Sequence, residues 1–180
     1  MFVLYAIPLG IFAGYLFGGR LDRLGSLRFR WAWLAILGLL VQVMLFSDPL
    51  AGVVGDAGPP IYVASTAAVL VAVLHNIRIP GMVVVAVGAS SNLLAIVANG
   101  GYMPADPAAL AAIGGIEPGF SNSLVIADPA FWPLTDIFAL PAWLPLNNVF
   151  SVGDILLGIG IGATIVLAMT GRADSTSTGV

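Results

Sequence analysis

The chain contains no cysteine, no lysine and a single histidine, His75. The lack of cysteine excludes disulfides, thiolate catalysis and iron–sulfur clusters, and a single histidine excludes a bis-histidine haem site within one chain. Charge is scarce as well, since only 8% of the 180 residues are charged, against about 25% in an ordinary soluble domain. The net charge of −3, without a basic cluster, argues against a nucleic-acid partner. We therefore expect no nucleic acid, no metal and no other cofactor.

Apolar residues make up 59% of the chain. So many apolar side chains cannot be hidden in a core this small, which indicates an integral membrane protein. Five continuous apolar stretches are each about long enough for a helix across a ~30 Å hydrocarbon core. They cover about 2–19, 31–47, 60–77, 80–98 and 152–170. The sequence predicts an all-α fold, a polytopic bundle of five transmembrane helices forming one domain over 1–172, with a cytoplasmic tail at 173–180.

The six basic residues predict how the bundle is oriented. They lie after the first, third and fifth stretches, whereas the segments 48–59 and 99–151 contain no lysine or arginine. By the positive-inside rule the N-terminus lies outside and the C-terminus in the cytoplasm of a bacterial cytoplasmic (inner) membrane. The residues are Arg20, Arg23, Arg28, Arg30, Arg78 and Arg172.

Aromatic residues lie near the ends of the predicted spans, where tryptophan and tyrosine usually meet the membrane–water interface. Trp31 and Trp33 open the second span at its inner end, and Tyr62 and Tyr102 flank the outer ends of the third and fourth spans. We expect all four side chains to anchor the helices at these interfaces.

Segment 99–151 is too apolar for a simple external loop. It holds seven of the twelve prolines, yet it keeps large apolar residues that include Trp132 and Trp143. Such a segment should cap the bundle on its outer side or lie in the headgroup layer. Long loops are usually functional or disordered, and the apolar content argues against disorder. We therefore take Asn99, Tyr102, Trp132 and Trp143 as candidate contacts for a substrate or partner.

Glycines recur at helical spacing in two of the spans. Gly10, Gly14 and Gly18 form a doubled GxxxG pattern, and Gly158 and Gly162 lie in the last span. Small residues at such positions let helix backbones approach closely in lipid. The pattern predicts helix packing within the bundle, or alternatively a face for a second copy or another membrane subunit.

Two aspartates are the strongest candidates for chemistry. Asp154 lies at the outer end of the last span, where it could be an acidic first-turn residue after Ser151 as the N-cap. Asp136 lies eighteen residues earlier and could be an exposed turn residue. If the two carboxyl groups are held close together, they would share a proton, so that one activates water while the other protonates a leaving group.

Two motifs resemble an uncharacterised family of small multi-pass bacterial membrane proteins, a domain of unknown function. They are Asn99-Gly-Gly-Tyr102-Met-Pro104 and Asn148-Val-Phe-Ser-Val-Gly-Asp154, accompanied by the arginine-rich first loop. This resemblance implies no activity.

A shorter stretch resembles the bacterial lipoprotein signal peptidases. Thr135-Asp136-Ile-Phe138 and Phe150-Ser151-Val-Gly153-Asp154 are similar to the segments that hold the two catalytic aspartates of that family, in order and spacing. The resemblance implies catalytic roles for Asp136 and Asp154. Serine replaces asparagine at position 151, and the family's Gly-Asn-x-x-Asp-Arg motif has only Ser91-Asn92 as its counterpart, without the acid and the arginine.

Two functional hypotheses follow. The first is a non-enzymatic accessory subunit of a membrane complex, or a protein that interacts with lipid, quinone or pigment. The alternative is an aspartyl-dyad, peptidase-like intramembrane hydrolase acting at the outer leaflet. In that case Asn92, Asn99, Asn148 and Ser151 are candidates for binding the substrate.

Overall fold

The computed structural model of the chain describes residues 2–47, 53–114 and 123–171. Five main helices overlap the five apolar stretches, and short 3-10 turns at Phe2–Tyr5 and Gly55–Ala57 precede the first and the third. The expected tail at 173–180 and Arg172 lie outside the described residues. The main helices are α1 (Ala6–Leu16), α2 (Ala32–Leu45), α3 (Gly58–His75), α4 (Met82–Ala98) and α6 (Val152–Met169).

Two of these helical stretches are long and apolar enough to cross a membrane, Gly55–His75 and Val152–Met169. Three other helical stretches are also apolar but shorter: Phe2–Leu16, Ala32–Leu45 and Met82–Ala98. The fold is therefore mostly helical with two candidate membrane spans.

Helix α6 lies between two neighbours, with α1 packed on one side and α4 on the other, and α3 packs against both α2 and α4. The α4–α6 contact is so close that the backbones themselves touch. A Cβ atom added at Gly160 would lie only 2.7 Å from the backbone nitrogen of Val85. At the first turn of α6, where Asp154 lies, a Cβ atom added at Gly153 would lie 2.9 Å from the Gly88 carbonyl oxygen of α4, so the approach is close there too.

Most of the glycines at helical spacing lie against a neighbouring part of the chain, whereas Gly18 does not. Gly10 and Gly14 are buried against α6, with Gly10 beside Gly162 and Gly14 beside Met169. Gly18 does not join this face, because α1 has already ended at Leu16 and Gly18 turns the chain with a φ of +73°. Gly158 faces the ring of Phe2.

Tyr62, near the N-terminal end of α3, turns its side chain into the bundle. Its side chain is only 7% exposed and belongs to a core cluster with Leu45 and Ile96. Its ring meets the ring of Phe46 edge to face, with centroids 5.1 Å apart. The ring fills the space where α2, α3 and α4 meet, and the place of Tyr62 at a membrane interface stays a prediction.

The described residues of segment 99–151, namely 99–114 and 123–151, form the cap, which is folded against α4 and α6. The cap contains a short helix, α5 (Pro107–Ile113), and two short strands, β1 (Met103–Pro104) and β2 (Ser123–Leu124), which pair in parallel. Two antiparallel strands follow, β3 (Phe138–Ala139) and β4 (Val149–Phe150). Ala105, Ala109, Leu110 and Val149 form a small core of the cap's own.

Candidate functional site

The strand pairing in the cap places Asp136 and Asp154 at the same end of one two-stranded ladder. Phe138 pairs with Phe150 in the antiparallel β3–β4 ladder, so the residues just before β3 and just after β4 leave the ladder at the same end. Asp136 lies two residues before Phe138, and Asp154 lies in the first turn of α6, four residues after Phe150. The backbone of Asp136 is also fixed on its other side, because its N–H donates to the Pro104 carbonyl at 2.9 Å.

The Asp154 carboxylate is held by a closed ring of hydrogen bonds at the start of α6. Asn92 Nδ2 donates to Asp154 Oδ1 at 2.9 Å, and the backbone N–H of Ser151 donates to Oδ2 at 3.1 Å. The Ser151 hydroxyl accepts from the Asp154 N–H at 3.0 Å and donates to Asn92 Oδ1 at 2.8 Å. The expected capping role of Ser151 and Asp154 is therefore present, and α4 adds a partner to it through Asn92.

Asp136 is buried, with only 4% of its surface exposed, so the alternative of an exposed turn residue is wrong. Ser123 Oγ donates a long hydrogen bond to its Oδ2 at 3.5 Å. Burial and the charge on Asp154 raise the pKa of Asp136 to about 8. Asp136 is thus protonated at neutral pH, and its carboxyl group lies within electrostatic range of Asp154.

The pair therefore combines a neutral acid with a carboxylate that accepts two N–H donors. Two carboxyl groups whose environments separate their protonation states are the arrangement that general acid–base catalysis uses. In the described part of the chain, no three His, Cys, Asp or Glu side chains are grouped where they could bind a metal ion.

The other candidate residues are in different situations. Asn99 is bound twice to the backbone of Ala130, at 2.8 and 3.0 Å, so it fixes that turn. Ser151 is fully buried, so its hydroxyl is not open to a substrate. Asn148 Oδ1 is buried and, among the described residues, has no hydrogen-bond partner. Trp132 and Trp143 are exposed, and Tyr102 is half-buried.

Two contributors to the site were not found from the sequence. Ser123 reaches Asp136 only because β2 pairs with β1 and the chain at Ala105 then pairs with Asp136. The spacing of residues in the sequence does not predict a contact that depends on the pairing of several short strands. Gly153 belongs to the motif that ends at Asp154, but the motif does not reveal that its lack of a side chain makes room for the Asn92 amide.

Replacing Gly153 with alanine should break the ring around Asp154. The new Cβ would overlap Asn92 Oδ1, so the Asn92 amide must move and lose its bonds to Ser151 and Asp154. Losing these two hydrogen bonds, one of them to a charged group, should lower the free energy of unfolding by about 2 kcal/mol or more. Thermal unfolding in a mild detergent measures the effect.

Gly162→Ala is the matched control, because it lies in the same helix and, among the described residues, its added Cβ would meet only the Ala6 carbonyl, at 3.9 Å. This variant should unfold at the wild-type temperature or slightly above, since alanine favours a helix by up to about 1 kcal/mol over glycine. Equal stability losses in the two variants would contradict the packing described at Gly153.

The sequence profile of a family of unknown function, DUF5317, matches residues 26–166, more than three quarters of the chain. The match includes Asn92, Asp136 and Asp154 and leaves out α1. No curated protein and no solved structure matches the chain. The predicted resemblance to a domain of unknown function is thereby confirmed, and the resemblance to lipoprotein signal peptidases stays a prediction. The chain belongs to the DUF5317 family, whose function is unknown.

Proposed function

We propose that the chain is a five-span protein of the bacterial cytoplasmic membrane, with Asp136 and Asp154 forming an aspartyl hydrolase site on its outer side. The observation that supports it most is the buried carboxyl group of Asp136 within electrostatic range of an Asp154 carboxylate held by Asn92 and Ser151. Nothing in a purely structural helix cap requires the second, buried acid.

The membrane placement is supported by the surfaces of the shorter helices. Large apolar side chains are exposed along α1 and α2, among them Phe12, Leu16, Leu40 and Met44. Exposed apolar surface of this extent is unfavourable in water and is expected where helices face lipid. Helices shorter than the hydrocarbon thickness are accommodated by local thinning of the bilayer.

The proposed orientation agrees with contacts at the opposite end of α6 from Asp154. The backbone N–H of Arg20 and the guanidinium of Arg23 both donate to the Met169 carbonyl, at 2.8 and 3.3 Å. The arginine-rich loop therefore lies beside the C-terminal end of α6. With positive charge inside, that end is cytoplasmic and the aspartate pair faces the outer leaflet.

The proposed reaction is hydrolysis of a peptide bond without a covalent intermediate. The Asp154 carboxylate accepts a proton from water as the water oxygen bonds to the carbonyl carbon, and Asp136 donates its proton to the carbonyl oxygen. The tetrahedral intermediate then collapses: the C–N bond breaks, the leaving nitrogen takes the proton from Asp154, and Asp136 regains a proton from a hydroxyl. Asn92 and Ser151 keep Asp154 oriented and act as positioning residues.

The experiment compares the bacterium that encodes this chain with a strain lacking it and with the same strain carrying the wild-type gene. The termini of all membrane proteins are mapped by mass spectrometry in the three strains. The proposal expects uncleaved forms to accumulate in the deletion strain, with the cuts restored by the wild-type gene and located near the outer surface. Identical termini in all three strains would rule the hydrolase out.

A second candidate, the non-enzymatic protein that interacts with lipid, quinone or pigment, is favoured by a different observation. An almost entirely apolar groove of about 350 Å³ runs between α1 and α6, on the side of α6 away from α4. Phe2, Leu9, Ile155 and Ile159 are among its lining residues. A stoichiometric apolar molecule found in protein purified in mild detergent would favour this candidate, or a binding role in addition to hydrolysis.

A further inference from the structure

The turn between β3 and β4 exposes unusually large apolar side chains. Trp143 is 80% exposed and Leu146 is 59% exposed. The turn is a defined structure, because the Leu144 N–H donates to the Pro141 carbonyl at 3.0 Å. Most of the surface of both side chains is therefore directed away from the cap.

The chemistry of the turn suits an apolar environment. No charged residue occurs anywhere between Asp136 and Asp154, so insertion of the turn into a membrane surface would bury no charge. Trp143 is the most exposed of the large apolar side chains in the ranges 2–47, 53–114 and 123–171. Tryptophan is the side chain that most favours the boundary between headgroups and hydrocarbon.

The turn is also attached to the outer end of α1. The Tyr5 hydroxyl donates to the Pro145 carbonyl, and the ring of Phe2 stacks on the ring of Phe150 with centroids 4.4 Å apart. Leu4 and Ile7, on the same end of α1, are exposed. The apolar surface therefore continues from α1 onto the turn.

We propose that this turn inserts Trp143 and Leu146 into the outer leaflet of the bilayer beside α1, as a membrane anchor for the cap. The inference rests on the proposed membrane placement of the helices and is independent of hydrolysis. The anchor would hold β3 and β4, and with them the ladder that brings Asp136 to Asp154, at a fixed depth. The surface formed by Trp143 and Leu146 thus contacts phospholipid. The alternative is that a second copy of the chain or another protein covers it, and the test below distinguishes the two.

The test uses the full chain in phosphatidylcholine vesicles with brominated acyl chains, which quench nearby tryptophan. One variant keeps only Trp143 (Trp31→Phe, Trp33→Phe, Trp132→Phe). A matched control keeps only Trp33, an exposed residue on α2. We expect the fluorescence of both to fall by about twofold or more relative to unbrominated vesicles. Thermal unfolding confirms that each variant is folded.

Quenching of Trp33 without quenching of Trp143 would overturn the anchor while leaving the membrane placement intact. This outcome includes the case in which a second copy or another protein covers the turn and keeps lipid away. Absence of quenching in both variants would overturn the membrane placement and the anchor together. A further variant with Trp143 alone and Leu146→Asp should lose most of the quenching, because a charge beside Trp143 opposes insertion.

Discussion

Asp154→Asn should lower the rate of hydrolysis by about 100-fold or more, because it removes the base that takes a proton from water. An asparagine can keep a hydrogen bond with either the Ser151 N–H or the Asn92 amide, so the fold should survive. The rate is measured on a protein whose cleavage depends on the wild-type gene, with enzyme and substrate in the same vesicles. The wild-type rate should also fall as the pH rises through about 8, since Asp136, whose pKa is raised to about 8, then loses the proton it donates.

Asp128→Asn is the matched control for this variant, because Asp128 is an exposed carboxylate in the same cap. It should cleave at the wild-type rate with the same pH profile. A stably folded Asp154→Asn protein that cleaves at the wild-type rate would exclude the carboxylate from the reaction. A wild-type rate that stays constant across pH 8 would remove Asp136 as the proton donor.

The sequence predicted the helices well because continuous apolar stretches leave the backbone few alternatives. Each of the five stretches overlaps a main helix, and Gly10 and Gly14 lie on a packed face. Helix ends were less predictable. Gly18 continues the GxxxG spacing, but spacing does not reveal that the helix has ended two residues earlier.

The candidate site could be predicted only in part, since its members meet through tertiary structure. The order and spacing of Asp136 and Asp154 suggested a pair, and the Ser151 cap follows from local rules. The burial of Asp136 depends on strands of two residues, too short to leave a pattern in the sequence. The contact of Asn92 with Asp154 depends on the close α4–α6 approach at Gly153, which no local rule specifies.

The stability of the folded chain should decrease as the pH rises from about 4 to about 8. Burial and the charge on Asp154 raise the pKa of Asp136 from 3.8 to about 8 in the folded state, whereas the unfolded chain titrates near 3.9. The stabilisation is therefore complete below the unfolded pKa, where both states hold the proton. The stabilisation is lost as the pH rises towards the folded pKa, because in this range the folded state still binds a proton that the unfolded state has released. Each unit of difference is worth about 1.4 kcal/mol, so the total loss should reach several kcal/mol.

Thermal unfolding in mild detergent from pH 4.5 to 8.5 measures this loss, and Asp136→Asn should remove most of it. The amide is neutral at every pH, so the variant should be more stable than the wild type at pH 8. Asp154→Asn should weaken the pH dependence without abolishing it, because burial remains after the neighbouring charge has gone. Asp56→Asn, at an exposed residue in the turn before α3, should keep the full wild-type dependence. If the wild type and Asp136→Asn showed the same pH dependence of stability, Asp136 would not be its cause. The raised pKa that follows from the burial of Asp136 would then be wrong.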